Sequence, residues 1–265
     1  MASNVIDLTV QRASDVPAGY NEAEWHTRID LAACYRLVDY YGWTSTVYNH
    51  IAARIPDTEE LLINPFGLRY SEITASNLVK IDIEGNKLDN SPYPVNRAGY
   101  VIHSAIHAAR RDLQCSLHTH SENSTAVACL EAGFIPMTQT GAMFYERIGY
   151  HDYEGIALDE AERERLVDDM GPINHTLLLK NHGVVVCGHT IPWTFTRMYE
   201  FENSCRVQLK AMAAGGQLNR LSHDTLVRTR TQFEGGGAQA GAVVQLPEWP
   251  AHLRLLDEID PSWRS

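Results

Sequence analysis

Apolar positions at spacings of three and four first appear between Glu22 and Tyr41. Trp25, Ile29, Ala32, Ala33 and Leu37 share a face there and Gly42 ends the run, which predicts a helix packed on a large surface. Alternation then replaces helical spacing. Thr46–Arg54 and Glu60–Asn64 read as two strands, joined through Pro56-Asp57 into an antiparallel hairpin. Asn64-Pro65-Phe66-Gly67 closes that hairpin, Tyr70–Leu78 fits a short helix or turn, and Val79–Asp82 is a further strand ended by Glu84-Gly85-Asn86. Asn96 is placed to cap a helix over Arg97–Arg111. Cys115–His120 is a strand with Cys115 and Leu117 on one face and Ser116, His118 and His120 on the other.

Ser121 caps the next helix, which runs to about Glu131 with Ala126, Val127 and Leu130 as its buried stripe and Gly133 as its stop. Phe134–Thr140 reads as a short strand. Met143-Phe144-Tyr145 and Tyr150–Gly155 are too aromatic and irregular for a solvent loop, and are expected to line a cavity or an interface. Asp159–Met170 is a charged amphipathic helix, Thr176–Lys180 a buried strand, Asn181-His182-Gly183 a tight turn and Val184–Gly188 the returning strand. Ile191–Met212 is the longest helix, with Pro192 in its first turn and Gly215-Gly216 after it. Gly235-Gly236-Gly237 reads as a linker before a terminal apolar segment, Leu253–Leu256, that docks on a neighbouring surface. The pattern divides the chain into a loosely held polar arm (1–20), one domain (21–216) and a C-terminal extension (217–265) packing on the domain or on a neighbouring subunit.

With 265 residues, 44% of them hydrophobic, the chain can bury a substantial core. Its net charge of −11 argues against nucleic acid and anionic membranes as partners, because both need a cationic face, and favours a small-molecule substrate. Five cysteines, widely spaced in apolar contexts, read as buried packing thiols of a reducing compartment. Residues 1–17 hold no apolar run of signal-peptide length and no later segment is long enough to span a bilayer, so the expected location is the cytoplasm.

Candidate chemistry gathers on histidines. His118 and His120 project from the same strand face, and His182 arrives from a turn between two central strands. Two imidazoles on a rigid strand plus one from a turn leave room for a water or substrate oxygen, which is how catalytic metal sites are usually built. A His-x-His pair also occurs by chance, and a strand histidine is often only a satisfied polar residue. His103 and His107, four apart on one helix, form a rival pair, although no glutamate stands beside the first of them as a base.

Across about residues 25–215 the chain resembles the class II aldolase and adducin family. The matching segments, in family order, are Asn64-Pro65-Phe66-Gly67 followed by Ser71-Glu72-Ile73-Thr74, then Leu117-His118-Thr119-His120-Ser121 heading a helix, then Leu179-Lys180-Asn181-His182-Gly183. The resemblance implies an α/β fold of three α/β/α layers around a mostly antiparallel central sheet, usually as a homotetramer with active sites between subunits. It implies a divalent metal on His118, His120 and His182, most often zinc, with Fe(II), Mn or Co as alternatives. It also exposes a departure: the glutamate that shuttles protons in the sugar-phosphate aldolases falls at Gly99, and Arg97-Ala98 stands where small hydroxyl residues bind phosphate.

These readings converge on a metal-dependent carbon-carbon lyase of aldolase or decarboxylase type. It would stabilise an enolate on the metal and act on a small non-phosphorylated oxygenated or carboxylated compound. Arg97 can fork a substrate carboxylate or merely solvate its helix; Asn49 and Gly67 complete the expected substrate side. Tyr145, His151 and Glu154 are the candidate proton donors, and aromatic packing at a subunit interface is the plainer account of that cluster. Two alternatives stand beside the lyase: a non-haem iron oxygenase on the same three histidines, and an adducin-like non-catalytic module.

Overall fold

The computed structural model describes residues 16–155, 161–235 and 248–265, and for Arg97 and Ala98 the backbone alone. Seven strands form one sheet in the order β3-β2-β1-β4-β7-β6-β5. They are β1 (His50–Arg54), β2 (Leu61–Ile63), β3 (Val79–Ile81), β4 (Cys115–Thr119), β5 (Ile148–His151), β6 (Thr176–Leu179) and β7 (Gly183–Gly188). Every neighbouring pair is antiparallel except β5 and β6, which run parallel.

The two faces of the sheet are covered by different helices because side chains alternate along each strand. On one face Ile51, Cys115, Leu117, Leu178, Val184 and Val186 share a core with α1 (Glu22–Tyr40), α5 (Ile191–Ala213) and α7 (Glu248–Ile259). On the other, Leu177, Leu179, Val185 and Cys187 pack with Ile102 and Ile106 of α2 (Arg97–Ala109) and Leu166 and Met170 of α4 (Glu162–Met170). The result is the three-layer α/β/α arrangement. Thr176–Leu179 and Gly183–Gly188 are buried at every position, the continuous apolar runs expected of strands covered on both faces.

Several boundaries differ from the sequence reading. Strand β1 starts at His50 instead of Thr46: Thr46 has φ +51°, and Ser45 N–H donates to Asn49 Oδ1 at 3.0 Å, so a turn occupies the alternating segment. Phe134–Thr140 is not a strand. Ile135 N–H donates to Gln208 Oε1 at 2.7 Å and Phe134 N–H to the Tyr150 hydroxyl at 3.3 Å, so these backbone donors are satisfied by side chains and not by a ladder. The ladder belongs instead to Ile148–His151, read above as irregular; a four-residue parallel edge strand has too short a period to announce itself. Helix α3 (Glu122–Ala128) ends before Leu130, which with Ala126 is half-buried, and Cys129 at its C-cap is exposed, unlike the other four cysteines.

Residues 16–20 lie against α1, with Val16 and Tyr20 on the core and the Tyr20 ring 5.1 Å from that of Trp25; the rest of the expected arm falls outside the described residues. So do Gly236 and Gly237 of the expected linker and Asp159 at the expected start of α4. The C-terminal segment carries α6 (His223–Phe233) and α7. Trp249, Leu253, Leu256 and Trp263 are buried, and the carbonyls of Trp263 and Ser265 accept from Ala75 N at 3.0 Å and Ser76 N at 2.9 Å.

Candidate metal centre

Three local devices bring the histidines together. The first is the strand itself, which aims His118 at the α2 side of the sheet opposite His50 on β1. The second is the short step from β4 into α3. His120 falls between them, and the start of the helix is clamped by the buried Glu202 carboxylate of α5. That carboxylate accepts from Ser121 Oγ at 3.0 Å, Ser124 N at 3.1 Å, and Asn123 N and Nδ2 at 3.2 and 2.7 Å. An acid placed on the free N–H groups of a helix start satisfies orphan donors and complements the dipole.

The third device is the β6–β7 turn. Asn181 takes the left-handed conformation at φ +59°, which asparagine tolerates, and its N–H donates to Ala128 O at 3.1 Å. A Cβ at Gly183 would overlap the Thr119 carbonyl oxygen and sit 3.2 Å from His120 Cδ2. Only glycine lets this turn reach the end of β4, and that approach delivers His182.

The three Nε2 atoms converge. His120 Nε2 lies 2.9 Å from His118 Nε2 and 2.9 Å from His182 Nε2. His118 Nδ1 donates to the Val184 carbonyl at 3.0 Å; because a carbonyl can only accept, this bond puts the proton on Nδ1 and leaves Nε2 as a bare lone pair. Burial, followed by the neighbouring imidazoles, holds His118 well below the ordinary histidine range. His120 is lowered by burial, and His182 is pushed down to about 4 by burial and then by His120 and His151. Neutral imidazoles with lone pairs turned on one another repel unless a cation or proton lies among them, and neutral imidazole is the form that binds metal. The residues therefore fit a divalent ion, and among the described residues they are the group of three or more that could hold one.

The other expected site residues are dispersed. His151, at the end of β5, lines a shallow recess together with Glu154 and His182. Asp169 Oδ2 accepts from His151 Nδ1 at 2.8 Å, and His151 Nε2 is buried without a hydrogen-bond partner, 3.5 Å from Glu162 Oε1. Glu154 is held by Arg165, which lowers its pKa. Tyr145 is elsewhere: its hydroxyl is 2.9 Å from His223 Nδ1 of α6, and it does not line the recess. Asn49 is buried with both ends of its amide engaged, accepting from Ser45 N and donating to Trp43 O at 3.1 Å, so it holds the loop before β1. Gly67 has φ +103° and open space around it, and Arg97 opens α2.

His103 and His107 are not on the helix surface but buried, and they bond to Ser116 and not to a metal group. Their four-residue spacing signalled a shared face. Nothing local signalled that the face points at Ser116, or that Glu202, Asp169 and Glu162 back the site.

Residues 29–209 match the Class II Aldolase and Adducin N-terminal domain. A protein of Pseudomonas aeruginosa assigned to aldolase class 2 is 45% identical over 252 residues, covering 95% of this chain and 96% of its own. Alpha-adducin of Rattus norvegicus is 37% identical over 270 residues, 98% of this chain but 36% of the adducin. The structure of L-fuculose 1-phosphate aldolase from Glaciozyma antarctica superposes with a TM-score of 0.78 at 28% identity, covering 95% of this chain and 97% of that one. On the family match and the near-full-length relative, this chain belongs to the class II aldolase and adducin family.

Proposed function

We propose that the protein is a divalent-metal-dependent carbon-carbon lyase of aldolase or decarboxylase type, acting on a small non-phosphorylated compound that carries oxygen or carboxylate groups. The convergence of three Nε2 atoms, from the buried His118 and the half-buried His120 and His182, carries this reading. His118, His120 and His182 are the ligands, for zinc first and for Mn, Co or Fe(II) as alternatives. A divalent cation held by neutral ligands keeps its charge and can polarise a carbonyl, supplying the electron sink that carbon-carbon cleavage needs.

The chain's own residues do the rest. Asp169 holds the His151 ring in the wall of the recess that His182 also lines, as a candidate proton donor, and Glu154 lines the same recess. Asn49 contributes through the loop it braces, and Gly67 and the Arg97 end of α2 form the substrate side. Tyr145, engaged by His223, carries no step. A homotetramer in the cytoplasm completes the proposal; among the described residues no helix is long and apolar enough to cross a membrane.

Metal analysis of protein purified without added metal tests it. Stoichiometric zinc, manganese or cobalt supports the lyase. Iron together with oxygen consumption favours an oxygenase instead, and no stoichiometric metal leaves an adducin-like module. His118→Ala is expected to abolish metal retention while the protein stays folded; a variant that keeps its metal overturns the ligand set.

A further inference from the structure

Strand β5 ends at His151, and the residues that follow it, Asp152 to Gly155, line the shallow recess that the candidate ligand His182 also lines. The charged groups of this rim are engaged with one another. Lys180 Nζ is 2.5 Å from Asp152 Oδ1, Glu154 is held by Arg165, and Asp169 accepts from His151 Nδ1 at 2.8 Å. Tyr153 is different. It is 56% exposed, and its ring lies 6.3 Å from that of His182 at an interplanar angle of 70°.

An aromatic face left to water beside a binding centre forgoes the burial that would stabilise it, and regains it when the flat or apolar surface of a ligand covers it. The rest of the recess agrees with that chemistry. Ile102, Leu166 and Leu179 are buried in its lining. Polyhydroxylated or phosphorylated compounds are recognised through charged groups free to pair with them, and the charged groups at this rim already have partners. What a molecule bound beside His182 meets is an aromatic ring over an apolar lining.

We propose that Tyr153 is a specificity-determining residue of the centre, and that it selects a substrate in which a flat aromatic or unsaturated group adjoins the oxygens offered to the metal. This rests on the metal-dependent reading above and narrows its substrate class to planar carboxylic or carbonyl compounds. Tyr153 contributes by stacking its ring on that group; it transfers no proton and forms no bond.

The test uses Co(II)-loaded protein, whose visible absorption changes when an oxygen ligand joins the ion, titrated with acetohydroxamate and with benzohydroxamate. Both probes present the same pair of oxygens, and they differ in a methyl against a phenyl group. Intrinsic differences between the two cancel when the ratio of their affinities is compared between variants. The unaltered protein is expected to favour benzohydroxamate. Tyr153→Ala should lower that ratio ~3-fold or more, and Tyr153→Phe should keep it. Acetohydroxamate affinity and cobalt stoichiometry should stay the same throughout, whereas a ring that only braced His182 would weaken both probes together when removed. Tyr153→Leu, which keeps bulk without the ring, should show the same fall as the alanine variant and replaces it if that variant does not fold.

An equal ratio in the unaltered protein and in the variants without a ring overturns the proposal, and so does a loss common to both hydroxamates. Protein that retains cobalt but binds neither probe also overturns it, and leaves the metal centre standing. Protein that retains no cobalt refutes the metal centre itself, and the proposal with it.

Discussion

Gly183 shows how little separates a candidate metal site from an ordinary turn. The Thr119 carbonyl occupies the space its Cβ would need, and His120 Cδ2 would be 3.2 Å away, so Gly183→Ala must push the β6–β7 turn off the end of β4. We expect this variant to lose about 1–3 kcal/mol of stability, the usual cost of overpacking. It should also lose most of its metal, because His182 moves with the turn; chemical denaturation and metal analysis of the same preparation check both. The residue type was legible in Asn181-His182-Gly183, a turn by its composition. That the glycine serves close approach to a strand some sixty residues earlier was not, because the obstructing carbonyl is backbone and leaves no mark on the sequence.

At the scale of elements, α5 braces the candidate metal centre through Glu202. Its carboxylate takes four donors from the first turn of α3, directly after His120. Glu202→Gln keeps the shape but turns an N–H towards groups that are themselves donors. It should cost about 1–3 kcal/mol, the penalty of leaving buried polar groups unmatched, and weaken metal retention measurably in competition with a chelator. Retention equal to that of the unaltered protein would show that α3 is held adequately without the clamp. Ser121 was expected to cap α3, and it does stand at the N-cap, but its side chain caps no backbone donor and instead donates to Glu202. A local capping signal was read correctly for place, while the group doing the capping came from eighty residues away.

At the scale of the molecule, burial of polar rings makes stability depend on pH. Burial lowers both His103 and His107 from 6.5 to about 3. The unfolded chain binds these protons near pH 6.5 and the folded chain only near pH 3, so the stability they contribute is complete above 6.5 and is lost as pH falls towards 3. Each group steepens the loss by at most ~1.4 kcal/mol per pH unit. Thermal midpoints of chelator-treated protein should fall from pH 7 to pH 4, and His107→Gln should flatten that slope. The C-terminal segment also bears on the whole fold. Trp263 is fully buried and its carbonyl accepts from Ala75 N at 3.0 Å, so Trp263→Ala should cost ~3–5 kcal/mol in urea unfolding.

The sequence by itself determined the parts that obey short-range rules: the helices with a 3.6-residue stripe, the buried runs of β6 and β7, the strand face shared by His118 and His120, and the turn bearing His182. Each is settled by backbone period or turn chemistry within a few residues. Tertiary structure alone decided which distant groups meet. It paired β5 parallel to β6, turned His103 and His107 inward onto Ser116, set His151 between Asp169 and the recess, and separated Tyr145 from it. These contacts depend on how layers pack at close range, and side-chain type along the chain does not encode that. The three candidate ligands could be named from the sequence; the approach of His120 Nε2 to within 2.9 Å of the other two, with His50 in the space left by Gly99, is a property of the folded sheet.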